Sequence, residues 1–381
     1  MTDTLYRGGL IFDGARLLTG HALHMSGARV VALAPEAAVT PQGATVVELD
    51  GDLIAPGYVD LQVNGGGGVM VNDGPTVADL ARIATAHRGL GSTTILPTLI
   101  TDTYERSAAA VAAVAEAVEQ GVAGIGGLHL EGPHLSLARK GAHDPALIRA
   151  MAPRDLDLLC DAAARLPVLM VTVAPESVTL SQVSALVGAG VLVSLGHTDA
   201  DYDTCRAYAA AGARCVTHLF NAMSQLDKRA PGLVGAALDC PGLSAGLIAD
   251  GAHVHPAAMR IALAAKPEGV FLVTDAMAPA GTEEDGFFLN GRWITRAGGR
   301  LLLEDGTLAG ADLDLTRAVN FLVTEAGVPL ARALAMATSV PARLAGLPAG
   351  VGTLTEGEAA TPIRLGQGAE GLVLRGVCPE G

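Results

Sequence analysis

The sequence predicts an α/β protein, a (β/α)8 TIM barrel with a small β-sandwich domain built from both chain ends. Three observations predict it. From Leu53 onward, eight short apolar runs alternate with Ala-rich segments of helical period, the pattern of repeated strand–helix units around a parallel sheet. Before that point the apolar runs are shorter and are broken by glycine and proline, as in small antiparallel sheets. The length of 381 residues, 50% of them hydrophobic, suits one barrel plus a small appendage.

Residues 1–53 supply alternating runs such as Val30-Val31-Ala32-Leu33 and Val46-Val47-Glu48-Leu49, and are assigned to the N-terminal part of the sandwich. The barrel domain spans 54–345. Its strands are expected at Tyr58 to Val63, Thr93 to Leu96, Gly127 to Glu131, Val168 to Val173, Val191 to Leu195, Cys215 to Leu219, Leu243 to Ile248 and Val270 to Thr274. Such a barrel carries its active site at the C-terminal ends of the strands. After the eighth run, Phe287 to Leu303 reads as a hairpin insertion, followed by helices from about Asp312 to Glu325 and from Leu330 to Ala345. Residues 346–381 return to short strands and are expected to complete the sandwich. No solenoid-type repeat is visible.

The formal charge of −14, from 39 acidic and 25 basic residues without a long single-sign block, disfavours a nucleic-acid surface and a polybasic membrane anchor. The expected partner is a small molecule. Five cysteines, odd in number and without a CxxC pair, argue against a disulfide framework and a thiolate zinc site. With no signal-peptide pattern and no apolar stretch approaching about 20 residues, the expectation is a cytoplasmic protein that does not engage a membrane.

Polar residues close four of the apolar runs: Glu131 ends GLHLE, His197 ends VLVSLGH, His218 ends CVTH, and Asp275 follows VFLVT. A single histidine at a strand end is most often a satisfied structural residue, and an aspartate there often caps a helix. Coincidence at four strand ends, with Pro279 and Gly281 forbidding a helix after Asp275, points to chemistry instead. Two imidazoles and one carboxylate with a fourth position open are the ligands of a catalytic zinc-type site. Asp275 then suits the general base that takes a proton from the attacking water and returns it to the leaving amine. His21, His24 and His87 lie away from strand ends and are left as structural.

The segments APGYVDLQVNGGGG from Ala55, GLHLEGPHLSLARKGAH from Gly127, SLGHTDADY from Ser194 and THLFNAMSQLDKRAPGLVGAALD from Thr217 closely resemble the N-acetylglucosamine-6-phosphate deacetylases of the amidohydrolase superfamily. IADGAHVHP from Ile248, LVTDAMAPAG from Leu272 and TLAG from Thr307 continue the match, which runs from about residue 50 to 310. The resemblance implies Glu131, His197 and His218 as metal ligands and Asp275 as the catalytic acid/base. It also implies His143, with the Ala142 main chain, at the sugar and its acyl carbonyl. Arg229, Asn221 and the Ala222 amide would hold the phosphate, and His253 would be a further substrate contact. The main chain of Leu308, Ala309 and Gly310 would lie along the substrate. In this family the arginine reaches the phosphate from the neighbouring subunit, which implies a homodimer. His134 is taken as a pocket-lining residue without an assigned role.

Many amidohydrolases carry HxH at the end of the first strand, whereas this chain has Gln62-Val63-Asn64. Amides are poor substitutes for imidazoles at such a site, so one divalent ion per subunit is expected: zinc first, with iron, cobalt and manganese also fitting. Gln62 and Asn64 are expected to hold waters in the vacated position. The implied reaction is metal-dependent hydrolysis of N-acetylglucosamine 6-phosphate to glucosamine 6-phosphate and acetate. Rival readings are an amidohydrolase for N-acetylgalactosamine 6-phosphate, for an unphosphorylated N-acetyl sugar or for an N-acylamino acid, and a non-catalytic barrel that keeps a structural metal. The retained Asp275 speaks against the last, because a binding descendant would be expected to lose its acid/base.

Overall fold

Eight parallel strands follow one another around a single sheet in chain order: β1 (Tyr58–Val63), β2 (Ser92–Ile100), β3 (Leu128–Glu131), β4 (Leu169–Val173), β5 (Leu192–Leu195), β6 (Cys215–Val216), β7 (Ser244–Leu247) and β8 (Val270–Leu272). The computed structural model describes residues 3–40, 43–289 and 291–378. The outermost positions expected in the sandwich, 1–2 and 379–381, lie outside these. All eight strands stand where the apolar runs predict them. The seam closes just past β8, where the Asn64 amide donates to the Ala276 carbonyl at 2.8 Å and the Asp275 amide to the Gln62 carbonyl at 3.1 Å. This closure sets Gln62 and Asn64 beside Asp275, some 210 positions away in the chain.

β2 is longer than the sequence suggests because Pro97 does not end it. The pairing with β1 shifts register between Ile95 and Pro97, an irregularity that accommodates a residue without an amide hydrogen, and the strand continues to Ile100. Eight helices alternate with the strands: α1 (Val77–Gly89), α2 (Tyr104–Glu119), α3 (Pro153–Ala163), α4 (Leu180–Gly188), α5 (Tyr202–Ala210), α6 (Gly232–Asp239), α7 (Pro256–Ala265) and α8 (Leu315–Thr324). Their starts are written locally. Thr76, Thr103, Thr179, Asp201 and Asp314 accept amide hydrogens at the N-termini of α1, α2, α4, α5 and α8, and proline opens α3 and α7, where its missing amide hydrogen costs nothing.

Beside the barrel stand two sheets, one from the N-terminal segment alone and one that joins both chain ends. One has the order Arg29–Pro35, His21–Ser26, Asp3–Arg7, Thr45–Glu48. The other runs Gly371–Val377, Pro362–Gly368, Leu53–Pro56, Leu10–Phe12, Leu17–Thr19. Tyr6, Ile11, Leu23, Met25, Ile54 and Leu354 form an apolar core there, and Arg364 pairs with Asp52 at 2.7 Å.

Two elements differ from expectation. The insertion is not one hairpin but a four-stranded antiparallel sheet, Gly286–Leu289, Arg292–Ala297, Arg300–Leu302 and Leu308–Ala311, and its last strand returns to the end of β8 through the Ala311 amide on the Asp275 carbonyl, 3.0 Å. The helix expected over Leu330 to Ala345 breaks at Thr338 into α9 (Leu330–Ala337) and α10 (Ser339–Leu344). Pro341 explains the break: it lacks the amide hydrogen a helix interior needs but is tolerated in the first turn of α10. No helix among the described residues is long and apolar enough to cross a membrane.

Candidate active site and metal centre

A cavity of about 370 Å³ opens at the C-terminal ends of the strands, lined by Glu131, His143, His197, His218 and Asp275 together with Asn64, Asn221, Ala222 and His253. Gly141, Ala142, Leu308 and Gly310 complete the walls, with Ile100, Ile248, Met277, Gly306 and Thr307, none of which the sequence pattern singles out. Glu131 closes β3. His197, His218 and Asp275 sit just past β5, β6 and β8 with left-handed backbones, φ +47°, +30° and +54°. That conformation costs a non-glycine residue roughly 1–2 kcal/mol and persists only where the surroundings over-determine it, as at functional sites.

Glu131 Oε1 lies 3.0 Å from His218 Nε2 and 3.3 Å from His197 Nε2, and the two imidazole nitrogens are 3.0 Å apart. His197 Nδ1 is 2.8 Å from the Arg139 carbonyl, so that nitrogen carries the proton and Nε2 presents a lone pair to the carboxylate. With the ring neutral, two electron-rich atoms face each other there, an arrangement that either a second proton on the ring or a cation between them relieves. A tetrahedral ion with bonds of about 2.0–2.2 Å would hold its donors about 3.3–3.5 Å apart, close to the spacing present.

Glu131, His143 and His197 also converge closely enough to hold an ion, but the tautomer of His143 argues against that trio. The Thr101 amide donates to His143 Nδ1 at 3.3 Å, which leaves the proton on Nε2, 3.9 Å from Glu131 Oε2. Burial, reinforced by His197, pushes the His143 pKa down to about 3, so the ring is neutral and faces the cavity as a hydrogen-bond donor. Glu131, His197 and His218 are therefore the set that fits a divalent ion. Burial alone would raise the Glu131 carboxyl, yet the contacts of His197 and His218 hold it well below the usual range. Burial opposes charge on His218 too, and the Glu131 contact outweighs it to carry the imidazole upward.

Asp275 Oδ1 accepts from Asn64 Nδ2 at 2.7 Å and from Gln62 Nε2 at 3.1 Å, and Gln62 Nε2 is also 3.1 Å from Glu131 Oε1. The two amides expected to hold waters thus donate directly to the carboxylates. Burial, then the charge of Glu131, raises the Asp275 pKa to about 6. Deeper still, Asp60 accepts from Thr274 Oγ1 at 2.6 Å, and burial lifts its carboxyl to about 7.

Other expected residues are placed as follows. The Ala309 side chain packs in a small core with Met277 and Phe287, so any contact with substrate falls to its main chain, while Gly310, φ +74°, passes so near Met277 and the Asp275 carbonyl that a Cβ would clash. Arg229 lies in an exposed loop and does not line the cavity of its own chain. His134 lines a separate, much smaller cavity with Arg149 and Asp155; its Nδ1 meets the Arg149 carbonyl at 3.1 Å. Sequence reasoning missed Asp250, which grips His253 Nδ1 at 2.6 Å; the three-residue spacing in DGAH was the available signal. It also missed Thr101 and Arg292, whose Nη2 donates to the Ala142 carbonyl at 2.6 Å.

The amidohydrolase family model matches residues 53–363, which covers the barrel and both of its seams with the sandwich. The chain belongs to the amidohydrolase family. As an amidohydrolase it is 45% identical over 314 residues to an N-acetylgalactosamine-6-phosphate deacetylase from Shewanella sp. (strain ANA-3), covering 81% of this chain and 78% of the relative. It is 34% identical over 354 residues to an N-acetylglucosamine-6-phosphate deacetylase from Haemophilus influenzae, covering 92% of each. Among solved amidohydrolase structures, N-acetylglucosamine-6-phosphate deacetylase from Pasteurella multocida superposes with a TM-score of 0.92 at 33% identity, over 98% of both chains.

Proposed function

We propose that the chain hydrolyses N-acetyl-D-glucosamine 6-phosphate to D-glucosamine 6-phosphate and acetate, with one divalent ion per subunit, zinc in the first instance. The observation that carries this is the convergence of Asp275, a buried carboxyl raised to about 6, with the Glu131, His197 and His218 trio in one cavity. The relatives' names supply the substrate class. A bound divalent ion would polarise the acetamide carbonyl and make water nucleophilic near neutral pH. His143 Nε2–H donates to the same carbonyl oxygen, where negative charge develops as the nucleophile adds. Asp275 takes the water proton on a carboxylate oxygen and passes it to the departing nitrogen, so that the amine leaves neutral.

In this reading Asn221, the Ala222 amide and His253 meet the sugar phosphate from within the chain, and Leu308, Gly310 and Ala142 flank the sugar. Among the described residues no lysine or arginine lines the cavity, so the phosphate dianion lacks a permanent cation there. Arg229 of a neighbouring subunit would supply one, which makes a homodimer part of the proposal. Cys160, Cys205, Cys215 and Cys240 form no disulfide, which accords with a reducing, cytoplasmic setting.

The 45% identity to a galactosamine-type relative favours a second reading, deacetylation of N-acetylgalactosamine 6-phosphate at the same site. Acetate release by the purified protein, with metal content assayed in parallel, tests both. Faster turnover of the gluco substrate with about one ion per subunit supports the first reading, and faster turnover of the galacto epimer replaces it with the second. Equal turnover of the unphosphorylated sugar would remove the phosphate assignment.

A further inference from the structure

Beneath the cavity, the barrel interior contains a continuous chain of hydrogen bonds in place of the layers of branched alkyl side chains usual in such barrels. The Val63 amide donates to Thr98 Oγ1 at 2.9 Å, Thr98 Oγ1 donates to the Leu96 carbonyl at 3.1 Å, and His129 Nδ1 lies 3.3 Å from the same hydroxyl. On the other side His129 Nε2 meets Thr172 Oγ1 at 2.8 Å; Thr172 meets Thr217 at 2.7 Å, and Thr217 meets Ser194 at 2.7 Å. The five side chains are at most 1% exposed. With Val63, they come from or directly follow β1 to β6.

Placing the single Thr98 hydrogen on the Leu96 carbonyl, 3.1 Å away, gives one consistent set of donors for the rest. Thr98 has one hydroxyl hydrogen and gives it to Leu96, so His129 Nδ1 is the donor at that end. The neutral ring accepts at Nε2 from Thr172, which accepts from Thr217, which accepts from Ser194. No hydroxyl can turn away without stranding a neighbour. Burying so many polar groups has a desolvation cost that alkyl side chains would avoid, so a compensating benefit is to be sought directly above. His129 shares its strand face with Glu131, two residues on, Thr217 precedes His218, and Ser194 lies three positions before His197.

We propose that this chain is a positioning lattice that fixes the mutual register of the strand ends bearing Glu131, His197 and His218, and thereby sets their affinity for a divalent cation. It rests on the reading of those three as the ion-holding set. Thr172→Val removes one hydroxyl at constant shape, and Thr172→Ser keeps it. Zn²⁺ affinity, measured by chelator competition on the metal-free proteins, should fall about 10-fold to 100-fold in Thr172→Val, as when supporting partners of metal ligands are lost, and recover in Thr172→Ser. A lattice that served only packing would give the reverse order, because serine leaves a methyl-sized void. Unchanged Zn²⁺ affinity in Thr172→Val, or equal loss in both variants, overturns the proposal. Should Thr172→Val fail to fold, Ser194→Ala, which removes the terminal donor, carries the same comparison, with Zn²⁺ binding weakened about tenfold or the proposal rejected. Wild-type protein that binds no Zn²⁺ would instead refute the metal reading itself.

Discussion

Asn64 donates its side-chain amide to Asp275 Oδ1 at 2.7 Å, while its own buried Oδ1 has no hydrogen-bond partner among the described residues. The donated hydrogen favours the charged form of Asp275, against the burial that raises its pKa to about 6. Removing the donor in Asn64→Leu should move Asp275 further upward, so the base form is lost at higher pH. Hydrogen bonds to charged groups are worth about 1.5–3 kcal/mol, or about 1–2 pKa units, so kcat/KM at pH 6 should fall about sevenfold or more, with partial recovery at pH 8. A pH–rate profile whose acid limb stays in place would show that Asn64 does not tune this carboxyl.

Asp60 gives a stability prediction of opposite character, because it is buried, uncharged when most stable, and remote from solvent. Burial raises its folded-state pKa to about 7, above the unfolded value of about 3.9. Between those values the folded state holds a proton that the unfolded chain releases, so this group's contribution falls as pH rises through the window and is constant above it. Asp60→Asn cannot titrate. Its stability relative to wild type should therefore climb from pH 4 to pH 7 by about 2–4 kcal/mol, on top of a pH-independent offset, in urea unfolding of the metal-free proteins. A difference that does not vary with pH would mean that Asp60 stays charged.

The barrel and the four strand-end residues were legible because each depends on local pattern: an apolar run, then a polar residue where the run stops. The Pro97 extension of β2 was not, since only the bulge against β1 lets the strand pass a proline. The amides of Gln62 and Asn64 were visible as missing imidazoles, but their bonds to Asp275 required knowing that the barrel closes at Ala276. The hydroxyl chain through His129 was hidden for a similar reason. Each member sits alone in its own strand, and only the stagger of neighbouring strands brings them into line.

Arg292 ties the inserted sheet to the loop that carries His143, through its 2.6 Å bond to the Ala142 carbonyl. The side chain is exposed, so its loss should leave global stability within about 0.5 kcal/mol. One hydrogen bond contributes about 0.5–1.5 kcal/mol, so Arg292→Ala should raise KM roughly twofold to tenfold with little change in kcat, if the bond orders the cavity wall before substrate arrives. An unchanged KM would show that the loop is held without it.

Arg229 stands in an exposed loop outside its own cavity, while Asp275 lines that cavity, and this separation makes the shared-site proposal testable by complementation. Arg229→Ala and Asp275→Asn homodimers should each be impaired, the second by at least about 10²-fold to 10⁴-fold as for a positioned acid-base group. If the arginine serves the neighbouring site, a mixed dimer pairs the intact Asp275 of one subunit with the intact Arg229 of the other and rebuilds one complete site. The second site of that dimer carries both lesions. Mixing the two variants under conditions that exchange subunits should then restore turnover to about a quarter of wild type, half of the dimers being mixed with one working site each. If each site used only its own chain, every site in the mixture would carry one lesion, and the activity would remain the average of the two parents.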